Sequence, residues 1–413
     1  MNTNIHESFL QLVRLGIGTS KDAKSPKDVD WAQLKALADR QGLSAVVLDG
    51  LNTDGTNLTD TMPVQMKLEW IGEVLQNYEQ RYVAYEKAIG TLSGFYNQHG
   101  FKMMVLKGYA CSLDWTKPNH RPCGDIDIWQ FGKQQEADRA LLNSSRIGKL
   151  KNKVTIDSGH HHHTVFEWEG FTVENHYDFV NVHAQKSSKE LEVIFKELGH
   201  PSHIKDNQEF ENSRISSTSK NAKGTEIPYV KVNGEKVYLP SPNLHALFLI
   251  KHMVSHFAAA EITLRQVLDW AFFVEKHTKE IDWVWLEGLL EKFHMMDFYN
   301  CINAICVGDL GFNVKIFPNV QLTSSTSDAT QNSSNKFDSP SLLPQFDPAL
   351  KDKVLADILS PEWTATEPRG FFKRMAYKYR RWQGNAWKQE LCYPESRREM
   401  FWRGLWAHII KPS

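Results

Sequence analysis

The chain has 413 residues, 41% of them hydrophobic and 23% charged, enough to bury a sizeable core and too apolar for disorder throughout. Its 48 Lys and Arg against 49 Asp and Glu give a net charge of -1, which disfavours a nucleic-acid binder held mainly by bulk positive charge. No run of 18 apolar residues predicts a membrane span, residues 1–16 lack the apolar core of a signal peptide, and the five cysteines form no C-x-x-C pair, so a soluble cytoplasmic protein with reduced thiols is expected.

Helical spacing opens the chain: Trp31, Leu34, Leu37 and Ala38 share one face of a segment over 31–42. Leu68, Ile71, Leu75, Tyr78, Tyr82, Tyr85, Ile89, Leu92 and Phe95 then step by three and four, predicting one long helix with all nine on its core face. Gly100 would end it as a left-handed cap. The period changes after this point. Residues 102–106 have the length and apolarity of a strand, Lys107-Gly108 follows, and a short helix is expected from Tyr109. Residues 124–129 (GDIDIW) alternate as a strand, and 133–146 read as a helix. Strands are expected at 165–168 and 171–176 around Glu169-Gly170, and at 229–232 and 235–239 around the hairpin signal Asn233-Gly234. Beyond Pro242, helices are expected at about 244–257, 264–277 and 283–293. Residues 321–348, rich in Ser, Thr, Asn, Asp and Pro, read as a mobile linker or insertion. The division is then a helical region (1–98), a mixed α/β core (99–241), a helical domain (242–320), the linker (321–348) and an aromatic, basic, helical C-terminal region (349–413). The fold class is α+β, a mixed-sheet core flanked by helical regions.

The chemistry concentrates in Leu106-Lys107-Gly108 and in Arg121-Pro122-Cys123-Gly124-Asp125-Ile126-Asp127-Ile128. On a strand, Asp125 and Asp127 point the same way, and two like charges held together call for a cation. Hard divalent ions such as Mg²⁺ take oxygen ligands and commonly share them with phosphate. Glu174, within the strand Val173-Glu174-Asn175-His176, is the candidate third acid. This pattern resembles the nucleotidyltransferase superfamily that includes the DNA polymerase beta fold. More closely, it resembles a bacterial family of uncharacterised nucleotidyltransferases with an L-K-G … R-P-x-G-D-I-D … E-x-H signature, continued here by Lys251-His252 and by Leu264-Arg265-Gln266-Val267-Leu268-Asp269. The resemblance spans about 95–290. The chain departs from the wider superfamily in carrying Tyr109 where a small residue usually follows the glycine, and in a longer gap between Gly108 and Asp125.

The resemblance implies a nucleotidyltransferase-type core and transfer of a nucleoside monophosphate from an NTP to a hydroxyl-bearing acceptor: a small molecule, a sugar or a protein. It implies Asp125, Asp127 and Glu174 as catalytic metal ligands for two Mg²⁺ ions, with Glu174 alternatively taking the acceptor's proton. Lys107, Gly108 and Arg121 would hold the nucleotide phosphates. The acceptor is expected between the Glu174 strand and the helices after Pro242, lined by His162, His176, Arg265 and Asp269. Arg265 and Asp269 could instead pair with each other at i, i+4 and only brace their helix. The alternative function is a non-catalytic nucleotide-binding or interaction protein on the same fold, which would be expected to have lost at least one acid. A weaker one is a nucleic-acid-modifying transferase using the basic C-terminal segment.

Other features have ordinary readings beside the functional ones. In the tract His160 to His163 successive strand side chains face opposite sides, so at most alternate members should converge, and one or two should line the cleft. His252 and His256, at i and i+4, could bind zinc, but no glutamate follows His252 to complete H-E-x-x-H. Cys111 and Cys123 read as packing residues. The basic and aromatic side chains from Arg369 to Trp382 read as a solvated helix face with an aromatic core side.

Overall fold

The computed structural model describes residues 3–20, 29–51, 62–148, 150, 153–183, 185–209, 224–318, 347–360 and 368–400. The low-complexity stretch at 321–346 lies outside them. The N-terminal layer is helical: α1 (Thr3–Ile17), α2 (Trp31–Gln41), α3 (Ser44–Leu51) and α4 (Val64–Val74). The Asp30 carboxylate caps α2 by accepting from Gln33 N–H, and Gly42 ends it in the left-handed conformation at φ 66°.

The expected single long helix is instead two, α4 and α5 (Arg81–Gln98), joined through a π turn over Leu75–Gln80. A π turn inserts a residue and rotates the buried face by about 100°. Tyr78, Tyr82, Tyr85, Ile89, Leu92 and Phe95 are buried as the spacing predicts. Before the turn the prediction fails: Leu68 and Leu75 are exposed, while Trp70 and Val74 are buried in their place. Gly100 follows the helix with φ 78°, as expected of its cap.

A seven-stranded mixed sheet forms the centre, in the order β3-β4-β2-β1-β7-β6-β5. Its strands are β1 (Met104–Val105), β2 (Ile126–Trp129), β3 (His163–Trp168), β4 (Phe171–His176), β5 (Ile204–Glu209), β6 (Ile227–Val232) and β7 (Glu235–Tyr238). β2 runs antiparallel to β1 and parallel to β4, and β3–β4 and β6–β7 are hairpins. Asn233 and Gly234 both take positive φ, 52° and 86°, which the tight second hairpin requires.

Strand alternation sorts the side chains of β2. Ile126 and Ile128 join Val105, Val173 and Val237 in a core closed by α5 and by α7 (Gln134–Arg146). Asp127 and Trp129 therefore face the opposite side. There Trp129 joins a second core with Met104, Leu106 and Phe179, built on the helices α8 (Lys186–Leu198), α9 (Pro242–Ala259), α10 (Leu264–His277), α11 (Trp283–Lys292) and α12 (Met296–Gly308). The short α6 (Tyr109–Ser112) follows β1.

Three further helices close the described chain: α13 (Pro348–Leu359), α14 (Phe371–Gly384) and α15 (Ala386–Cys392). No residue from 372 to 384 is buried, so these residues of α14 do not form the aromatic core side expected of this basic segment. Phe372, for example, is 85% exposed. No helix among the described residues is long and apolar enough to cross a membrane.

Candidate active site

The site forms where the C-terminal ends of β1 and β4 and the start of β2 meet α9 and α10. Gly108 turns the chain out of β1 with φ 60°, and Tyr85 Oη fills the space a side chain would need, donating a hydrogen bond to the Asp125 carbonyl at 2.8 Å. Asp125, one residue before β2, is exposed. Asp127, inside the strand, is 2% exposed. The parallel register sets Glu174 of β4 directly beside Asp127.

Asp127 Oδ1 accepts from Lys107 Nζ at 2.9 Å and lies 3.2 Å from His176 Nε2. His176 Nε2 also lies 3.6 Å from Glu174 Oε2. One ligand atom from each of Asp127, Glu174 and His176 falls within 4.8 Å of the others. Burial opposes ionisation of Asp127, but Lys107 and His176 outweigh it and hold the carboxyl far below its ordinary range. His176 moves the other way: burial disfavours the imidazolium, and its hydrogen bonds to Asp127 and Glu174 overcome that and raise it. Asp125 is raised, first by partial desolvation and then by the charges of Glu174 and Asp127. Asp127 and Glu174 thus form an oxygen donor pair, a chemistry that fits a hard divalent cation, while Asp125 lines the same cavities outside any group of ligand atoms within 4.8 Å among the described residues.

Two cavities open from this point and share Lys107, Asp125 and His252. The smaller, about 150 Å³, adds Gly108, Gly124, Asp127, Arg121, Arg265 and Asp269. The larger, about 460 Å³, adds Glu174, His162, His163, His176, Lys251 and His256. The four residues expected around an acceptor are therefore divided, with His162 and His176 in the larger space and Arg265 and Asp269 beside the glycine loop.

Arg121 is buried and forks onto Asp269, Nε to Oδ1 at 2.8 Å and Nη2 to Oδ2 at 2.9 Å. Trp115 Nε1 donates to the same carboxylate at 2.8 Å. This ion pair, with Arg121 rather than Arg265, replaces the i, i+4 bracing pair considered from sequence. Arg265 is half-buried on the cavity wall and has no ion pair among the described residues. Its guanidinium is depressed by burial and by Arg121, and it stays charged.

The histidine tract also departs from expectation. His162 and His163 are consecutive, yet both converge with His176, each offering a nitrogen within 4.8 Å of the others. Alternation does not separate them because His162 lies just before β3 begins at His163. The rings of His252 and His256 lie 4.3 Å apart between centres, tilted by 56°, and line the larger cavity. Cys111 is buried and its thiol is pushed up by burial, in keeping with a packing role. Two residues had no individual site role from sequence: His163, named only within its tract and set opposite His176, and Lys251, named only in the family motif, whose ammonium is buried under the ring of Tyr393 at 4.9 Å.

Searches of curated proteins and of solved structures gave no match. A family profile described as "Uncharacterised nucleotidyltransferase" matches residues 27–307, more than half of the chain and all of the elements that build both cavities except the Tyr393 wall. The chain belongs to this uncharacterised nucleotidyltransferase family.

Proposed function

We propose that the protein transfers a nucleoside monophosphate from an NTP to a hydroxyl-bearing acceptor, with Mg²⁺ held by Asp125, Asp127 and Glu174. The observation that carries this reading is the position of these carboxylates at the junction of two cavities, the smaller of which also holds Lys107 and Arg265. When bound, the metal neutralises phosphate charge and lowers the cost of ionising the acceptor hydroxyl.

The chain's own groups divide the remaining work. Gly108 brings backbone close to the small cavity, and Lys107 and Arg265 supply positive charge for the triphosphate. Arg121 does not act as a free phosphate ligand, because Asp269 already takes its fork; it positions α10, and with it Arg265. The acceptor occupies the larger cavity, whose volume suits a small-molecule group or a single side chain. Its oxygen attacks the α-phosphorus as the bond to pyrophosphate breaks, and Glu174 takes the hydroxyl proton. Lys107 then has two partners in turn, Asp127 at rest and the phosphates during the reaction.

Incubation with each α-labelled NTP, Mg²⁺ and a cell extract tests the reading. Label should appear in an acceptor with the native chain and vanish in the Asp125→Asn/Asp127→Asn double variant. Undiminished transfer by the double variant overturns it. Nucleotide binding with no transfer to any acceptor would favour a non-catalytic binder, a state in which Lys107 and His176 serve as the permanent counter-ions of Asp127.

A further inference from the structure

We infer that His162, His163 and His176 form a transition-metal site of the zinc class, beside and distinct from the carboxylate position. The hairpin register sets His163 directly opposite His176, and His162 folds in from the preceding turn. The three ring centres are 4.4, 5.2 and 5.4 Å apart. One nitrogen from each lies within 4.8 Å of the other two, a spacing that a metal bonded to nitrogen at about 2.0–2.1 Å can bridge with small side-chain rotations.

One feature marks this as a ligand position rather than simple packing, and a second is compatible with it. First, Nδ1 of His162 and Nδ1 of His163 are both buried and lack a hydrogen-bond partner among the described residues. A native interior rarely leaves buried polar atoms unpartnered. Second, His176 faces Asp178 O with Nδ1 at 3.2 Å, and a carbonyl only accepts, so Nδ1 carries the hydrogen. Nε2 is then left toward Asp127 and Glu174 oxygens, which also only accept. Held as an imidazolium, His176 donates from Nε2 to these acids; a metal ion would take the place of that proton, with the distal nitrogen already oriented by backbone as is common for metal-binding histidines.

The nitrogen donors decide the class of metal. Imidazole suits Zn²⁺ and its neighbours, whereas Mg²⁺ prefers oxygen. His176 also belongs to a separate group with Asp127 and Glu174, so the two positions share this one ring.

The test uses the full chain and needs no knowledge of the reaction. After stripping with a chelator, zinc binding is measured by equilibrium dialysis with metal analysis, in the presence of millimolar Mg²⁺. We expect one equivalent of tightly held Zn²⁺ and a zinc-dependent rise in melting temperature. His162→Ala should weaken binding at least tenfold and abolish the rise while circular dichroism stays native. His163→Gln should do the same. The His160→Ala/His161→Ala double variant should keep both, which separates this site from chelation by the tract. Absence of a tight equivalent, displacement by Mg²⁺, loss in the His160/His161 variant, or full binding by the folded His162→Ala variant each overturns the inference. Because nucleotidyl transfer is not the readout, failure here leaves the proposed reaction untouched.

Discussion

Asp125 and Asp127 are two positions apart and differ in nearly every electrostatic respect. Crowding of like charge, anticipated from sequence for both, describes only Asp125, whose carboxyl is raised first by partial desolvation and then by its acidic neighbours. Asp127 is paired with Lys107 and His176 and is held low. The two single variants should therefore separate. Asp125→Asn should leave stability unchanged or slightly higher, since it removes repulsion. Asp127→Asn should cost about 1–3 kcal/mol, because the buried hydrogen bonds lose their charged acceptor. Both should abolish transfer. Chemical denaturation of the two variants side by side checks this, and equal stabilities would refute the asymmetry. Spacing singles out these acids and Glu174 as candidates, and an inward-turned Lys107 paired with an acid is foreseeable from sequence, but which acid it meets, and that Arg121, favoured over Lys107 as the phosphate ligand, is itself taken by Asp269, depends on packing.

At the scale of elements, hairpins and glycine turns were the most legible features. Asn233-Gly234 and Glu169-Gly170 combine local turn chemistry with flanking alternation, and both appear as read. The π turn was not legible, since an inserted residue leaves no mark in composition and silently moves Leu68 and Leu75 to solvent. Strand β5 and helices α8 and α12 were also passed over. α12 is apolar around much of its surface, so no single stripe announces it. One glycine has a specific cost. At Gly108 an added Cβ would meet Tyr85 Oη at 2.6 Å, and φ 60° is unfavourable for any other residue. Gly108→Ala should break the bond from Tyr85 to the Asp125 carbonyl, lower stability by about 1–3 kcal/mol and weaken NTP binding. Isothermal titration with a non-hydrolysable NTP, alongside a melting curve, reads both effects. A variant with native melting and native affinity would show that the loop is not a phosphate cradle.

Across the whole molecule, two buried cations give stability opposite slopes with pH. His277, on α10, is opposed by burial, but its hydrogen bonds to Asp114 and Glu280 win and raise it from 6.5 to about 9. Its contribution is full below pH 6.5 and is lost as pH rises through 9. Lys251, on α9, is depressed by burial from 10.5 to about 8, so the folded state carries a penalty below pH 8 that is relieved as pH rises towards 10.5. Each shift corresponds to about 3 kcal/mol. For these two groups, stability should fall from pH 6.5 to 8, level off to 9 and recover towards 10.5. His277→Gln should remove the fall, and Lys251→Met should remove the recovery while raising stability at pH 7. Denaturation midpoints across the range test both assignments, and a native pH profile in either variant would sink the corresponding one.

The fork from Arg121 to Asp269 has a mechanical consequence. It rivets the loop before β2 to α10 at the floor of the small cavity, with Trp115 bolted to the same carboxylate. A body fastened at one point can swing but not slide, and its displacement grows with distance from the pivot. Any breathing of the helical half against the sheet should therefore leave the glycine-loop side nearly constant in width and concentrate in the far wall, around Ser255, His256 and Tyr393. Spin labels placed across each mouth would register it as a narrow distance distribution at the rivet and a broad one opposite. Equal breadth at both mouths would rule out the pivot. Such a lever would let one rigid seat for a triphosphate coexist with an aperture that adapts to the bulk of whatever receives the nucleotide.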